Sequence, residues 1–183
     1  MSHDPTPIPP STTSPWILGI DPGASGGLAV IDADGMVLRL EPMPDDELGL
    51  VRLVDGIYRA AALAHVRLIA YLERVQAHKG WHASGAFAFG RSVGACLAAL
   101  MAYELTTELV APARWMRALG CLTGGDKRVT LRRARQLFPA QRLTHAVADA
   151  LLIAEYGRRQ RTIQHQAATR KDDAQDPDVH PAG

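Results

Sequence analysis

The stretch WILGIDPGASGGLAVID, residues 16–32, decides the fold. In an extended chain successive side chains alternate between faces. Ile17, Gly19 and Asp21 therefore share one face of a strand, and Trp16, Leu18 and Ile20 share the other. The turn PGASGG breaks this strand, and LAVID at 28–32 begins a second. Asp34-Gly35 is a strong hairpin signal, and MVLRLEP at 36–42 reads as a third strand. Three strands joined by short turns make an antiparallel meander.

Working outward, residues 45–64 change period. Leu48, Val51, Val54, Ile57 and Leu63 form an apolar stripe at helical spacing, and Asp45 or Asp46 can cap its start. VRLIAYLE at 66–73 is a dense apolar run, as expected of a buried parallel strand reached by a crossover helix. A small-residue helix follows near 83–102, in which Gly85, Gly90 and Gly94 permit close approach to another element. A strand near 105–110, a helix opened by Pro112, a basic helix over 127–137 and a last helix over 145–159 complete the order. That order predicts an α/β fold, a five-stranded mixed sheet flanked by helices.

The bulk properties agree. The 183 residues suit one domain, and 47% apolar residues are enough for a core. The reading divides the chain into a flexible tail over 1–15, a domain over 16–160 and a flexible polar, acidic tail over 161–183. Cys96 and Cys121 make no disulfide framework, and Cys96 lies in an apolar run that favours a buried thiol. A reducing, cytoplasmic setting is expected. The N-terminus lacks the basic-then-apolar pattern of a signal peptide. The apolar run 93–102 is shorter than the roughly 20 residues a bilayer requires, so no membrane partner is expected.

Two acids close apolar strands, Asp21 and Glu73. Either alone fits a turn or a solvated strand end. If the two strands are neighbours, the carboxylates meet at one sheet edge, where like charges repel unless a cation lies between them. Oxygen ligands favour Mg²⁺, with Mn²⁺ as a substitute. On the last helix His145 and Asp149 are four apart and share a face. An acid within AVADALLIA is hard to explain as a solvated residue. His145 reads as a ligand, a group orienting water or a helix cap. The glycines of PGASGG let a substrate backbone approach, but no P-loop ending follows.

The formal net charge of +1 hides an asymmetry. Residues 16–73 carry nine acids and four Arg, whereas 114–161 carry eleven Arg and Lys and three acids. The cluster Arg128, Arg132, Arg133 and Arg135 suits a nucleic-acid backbone, and a solvated helix face explains part of it. Lys127, in the Gly-Gly-Asp-Lys loop, can reach a scissile phosphate or simply close a turn. Gln76, Lys79, Trp81, His82 and Arg91 interleave charge with aromatic groups, as DNA-contacting segments do. Phe87 and Phe89 read as core.

Together these residues resemble the RuvC family of crossover junction endonucleases, in the ribonuclease H-like superfamily, and more closely its phage-type and prophage-type branch. The resemblance covers about residues 16–159. WILGIDPGASGGLAVID is similar to the family's first motif, with Asp21 at its first acid. YLERVQ resembles the second, with Glu73 at its glutamate. FAFGRSVGA, APARWMRALG and GDKRVTLRRARQLFP resemble later segments, with Lys127 at the loop lysine, and HAVADALLIAEYG resembles the last motif, with Asp149 at its terminal acid. The resemblance implies a ribonuclease H-like nuclease domain and a homodimer that nicks four-way (Holliday) junctions symmetrically. It implies two Mg²⁺ ions per site, held by Asp21, Glu73, Asp149 and His145. His145 departs from the usual aspartate, and AHKGWH replaces the usual methionine–proline–glycine–glutamine–glycine loop. A different ribonuclease H-like nuclease, acting on flap or fork DNA or an RNA–DNA hybrid, and a junction-binding protein with weakened catalysis are the alternatives.

Overall fold

The structure is a computed structural model that describes residues 14–74, 80, 82–124 and 126–175. Its elements are β1 (Trp16–Asp21), β2 (Gly27–Ile31), β3 (Val37–Pro42), α1 (Glu47–Leu63), β4 (Leu68–Glu73), α2 (Ala83–Ala102), β5 (Thr106–Val110), α3 (Pro112–Ala118), α4 (Arg128–Leu137) and α5 (His145–Gln175). The strands form one sheet in the order β3-β2-β1-β4-β5. β1 and β2, and β2 and β3, pair antiparallel; β1 and β4, and β4 and β5, pair parallel. This is the five-stranded mixed sheet expected, with helices on both faces.

Strand alternation sorts the core into two layers. Ile17, Ile69 and Tyr71 pack with α3, α4 and α5 residues such as Trp115, Leu131 and Leu151 on one face. Leu18, Ile20, Ala70 and Leu72 pack with α1 and α2 through Val54, Ile57, Cys96 and Leu100 on the other. α5 packs directly against the sheet at three positions that lack a Cβ. A methyl at Gly19 would overlap the Ala150 carbonyl and the Ala154 backbone, and one at Gly157 would overlap the Tyr71 ring. At Gly27 it would lie 2.8 Å from the Ala146 carbonyl oxygen.

Several expectations are corrected. The buried row of α1 is Leu50, Val54, Ile57 and Ala61, while Leu48, Val51 and Leu63 are exposed. The apolar residues spread over more than one helical row, and docking selects the row in register with the Asp46 cap, whose Oδ1 accepts from the Gly49 N–H at 2.6 Å. α5 runs on to Gln175 rather than ending near 159, so 161–175, expected to belong to a tail, is helical. Residues 158–175 contain no Gly or Pro and are rich in Arg, Gln and Ala, which favour helix. α2 buries only Cys96, Ala99 and Leu100. Its first half projects past the core, so Phe87, expected inside, is 75% exposed. Gly85, Gly90 and Gly94 face open space instead of a packed neighbour. The 20-residue α2 also has the length and composition to cross a membrane, which the run 93–102 alone lacks. The expected tails at 1–13 and 176–183 lie outside the described residues.

Candidate metal centre

The sheet register brings the acids together. β1 and β4 pair in parallel up to Ile20 opposite Leu72, so Asp21 and Glu73 are the next residues on adjacent strands. By alternation both project to the α5 face, where Asp149 sits one helical turn beyond His145. Asp21 is held in an Asx turn, its Oδ1 accepting from the Gly23 N–H at 3.1 Å. Gly26 packs on the same carboxylate, and a Cβ there would lie 2.6 Å from the Asp21 Cγ. The glycines of this loop thus make room for Asp21 itself. The Ser92 hydroxyl donates to the Pro22 carbonyl at 2.5 Å and fastens the loop to α2.

The electrostatics bind the three acids into one unit. Burial pushes the Glu73 carboxyl up to about 7, and the charges of Asp21 and Asp149 act in the same direction; the Trp115 N–H and Lys127 oppose them. Burial also raises Asp21, against the Gly23 N–H and Lys127. Asp149 is raised by burial and by Asp21, against the Thr130 hydroxyl, Lys127 and His145. Asp149 Oδ1 is buried with no hydrogen-bond partner. An unpaired buried acceptor costs about 1–3 kcal/mol, more if charged. Three raised carboxyls and one orphaned oxygen form a donor set suited to a hard divalent cation. The set is open: among the described residues, no three His, Cys, Asp or Glu side chains are already grouped closely enough to enclose an ion.

This arrangement sets a pH dependence. The folded chain keeps the Glu73 proton at pH values where the unfolded chain, with its carboxyl near 4.5, has released it. Folded protein therefore binds more protons between about 4.5 and about 7, and stability falls as pH rises through that window. Metal-free protein is expected to melt higher at pH 5 than at pH 7.5, and Mg²⁺ should raise the melting temperature more at pH 7.5. Equal Mg²⁺ shifts at both pH values, measured by calorimetry, would count against a carboxylate site.

The remaining residues divide by location. Lys127, immediately before α4, and His145, opening α5, are exposed, and both act electrostatically on Asp149. Arg133 Nε donates to the Leu119 carbonyl at 2.7 Å, and Arg135 to the Leu143 carbonyl at 3.3 Å. These two basic groups tie α4 to its neighbours. Arg128 pairs with Asp126 at 3.0 Å on the surface, and Arg132 is exposed. Arg91 pairs with Glu47 at 3.0 Å, and exposed His82 precedes α2. Gln76, Lys79 and Trp81 lie outside the described residues.

The sequence alone assigns no role to Trp115, which lies in the APARWMRALG stretch of the family resemblance, or to Thr130 and Arg74. Trp115 is fully buried and its Nε1–H donates to Glu73 Oε1 at 2.9 Å. Thr130 is buried beside Asp149. Exposed Arg74 follows Glu73 directly. The signals were weak: an aromatic and a threonine inside amphipathic helices usually mean core.

No protein-family model and no curated protein matches the chain. Among solved structures it is similar to T. thermophilus RuvC in complex with a Holliday junction substrate, at 22% identity and a TM-score of 0.56, covering 81% of this chain and 96% of that one. It is likewise similar to a second Thermus thermophilus RuvC structure, at 21% identity and a TM-score of 0.54, covering 80% and 96%. The yeast mitochondrial Holliday junction resolvase Ydc2 aligns at 12% identity and a TM-score of 0.46, covering 90% and 86%. The chain has the RuvC-like form of the ribonuclease H-like fold, and Asp21 and Glu73 close its adjacent parallel strands β1 and β4.

Proposed function

We propose that this chain is a divalent-metal-dependent, structure-selective DNA endonuclease that nicks four-way junctions symmetrically, as a homodimer of the phage-type branch. The observation that carries this reading is the carboxylate group Asp21, Glu73 and Asp149, with its orphaned oxygen, and Lys127 acting on all three from the start of α4. The junction DNA in the similar T. thermophilus structure supports the choice of substrate.

Asp21, Glu73, Asp149 and His145 would hold two Mg²⁺ ions, the acids supplying hard oxygen ligands. Bound Mg²⁺ would supply Lewis-acid polarisation of the phosphate and of the attacking water. His145, at the open start of α5, would orient that water. Lys127 would offset the charge that builds on the phosphate. Arg132 and Arg128 would track the DNA backbone, and two-fold symmetry would match that of an open junction. Exposed Phe87 and Met101 on α2 support this helix as the dimer contact.

The test is cleavage of a synthetic four-way junction in Mg²⁺ or Mn²⁺, beside duplex, flap, fork and RNA–DNA hybrid. Paired symmetric nicks in the junction are expected. Preferential cleavage of a flap or hybrid would replace this reading with another ribonuclease H-like nuclease, and tight junction binding without turnover would indicate a binding protein. The basic residues separate in the same system. Arg132→Ala should weaken junction binding and reduce the salt slope by about 1. Arg133→Ala should cost about 1 kcal/mol of stability through its lost carbonyl bond, with little change in that slope.

A further inference from the structure

Glu73 is held from two directions by one continuous segment. Its backbone stands opposite Val110 at the end of β5, and the Arg74 N–H donates to the Val110 carbonyl at 2.8 Å. The chain then passes through Ala111 into α3, where Pro112 stands at the start of the helix. Three residues later Trp115 turns inward, fully buried, and its Nε1–H reaches Glu73 Oε1 at 2.9 Å.

We infer that Trp115 is a positioning residue, whose buried indole N–H fixes the Glu73 carboxylate so that its second oxygen faces the ion site. This rests on the reading of Asp21, Glu73 and Asp149 as a divalent-metal site. Indole is a donor only. It cannot ligate the ion through nitrogen, and it binds one carboxylate oxygen while leaving the other for a cation. Its ring is packed in the core with Leu119 and Leu151 on the α5 face of the sheet, so the donor is fixed before any ion arrives. The bond is reciprocal, because a buried indole N–H requires an acceptor. Glu73 thus completes the core of α3 while α3 orients Glu73. Partners of this kind around a metal ligand typically contribute about 10–100-fold in metal affinity.

Trp115→Phe keeps most of the ring and removes the donor. Mn²⁺ affinity measured by titration calorimetry should fall about 10–100-fold, while junction binding without metal stays at the wild-type level. In a Glu73→Gln background the same substitution should cost no further affinity. Wild-type Mn²⁺ affinity in Trp115→Phe would overturn the inference. So would an equal loss in both backgrounds, which would mark the ring as merely structural.

A second measurement needs no change at Trp115 and decides the matter if that variant fails to fold. The Trp115 indole ¹⁵N–¹H resonance, assigned with Trp16→Phe and Trp81→Phe, should shift as Mg²⁺ is titrated into the wild-type chain. An indole signal that stays in place while Mg²⁺ binds would overturn the inference alone. A wild-type chain that binds neither Mg²⁺ nor Mn²⁺ would overturn the metal-site reading as well.

Discussion

Asp21→Asn should reduce junction nicking by at least about 10³-fold, since loss of an anionic ligand would remove several kcal/mol of charge stabilisation. Junction affinity should stay within about threefold of wild type, because phosphate contacts to basic residues supply most of the binding. Stability offers a second check with the opposite sign. Burial raises the Asp21 carboxyl, so the ionised form opposes folding when no metal is bound. Asn is neutral, nearly the same shape, and its Oδ1 can still accept from the Gly23 N–H. Metal-free Asp21→Asn should therefore melt at or above the wild-type temperature at pH 7.5, and Mg²⁺ should no longer stabilise it. An Asn variant that nicks normally would remove Asp21 from the site. One that melts far lower would show a mainly structural carboxylate.

Gly19→Ala should be among the most destabilising single-methyl additions in the chain. The new Cβ would overlap the backbone of α5 at Ala150 and Ala154, and backbone cannot turn aside as a side chain can. Overpacking typically costs 1–3 kcal/mol and sometimes more; here the upper end, about 3 kcal/mol, is expected. For a domain of this size that lowers the melting temperature by roughly 6–12 °C. Relief would come from displacing α5, which carries Asp149. The variant should thus lose metal affinity even at temperatures where it remains folded. A melting temperature within 2 °C of wild type, by the scale of about 2–4 °C per kcal/mol, would show that α5 is free to move away from β1.

Much of the fold was legible because its signals are local. Alternation in WILGID locates β1, the dense apolar run VRLIAYLE locates β4, and Asp34-Gly35 locates the turn before β3. The errors fell where tertiary contacts choose among equivalent local patterns. The α1 apolar residues supported more than one buried row, and docking onto Leu18 and Ile20 selected the row through Val54. Phe87 reads as core in any window of its own sequence, yet the sheet does not extend beneath the first half of α2. The polarity of 161–175 predicts a tail, but its residues are good helix formers and α5 continues through them.

By itself, the sequence determined that Asp21 and Glu73 close apolar strands and that Asp149 lies on an otherwise apolar helix. A two-residue strand period and a helical period can be read within a few residues. Only the tertiary structure decided that Trp115 donates to Glu73 across 42 residues of chain, that Asp149 presents an unpartnered oxygen, and that Gly19 and Gly157 let α5 come close enough to bring that oxygen to the strand ends. Those features depend on which distant surfaces pack together, and a local period does not encode that choice.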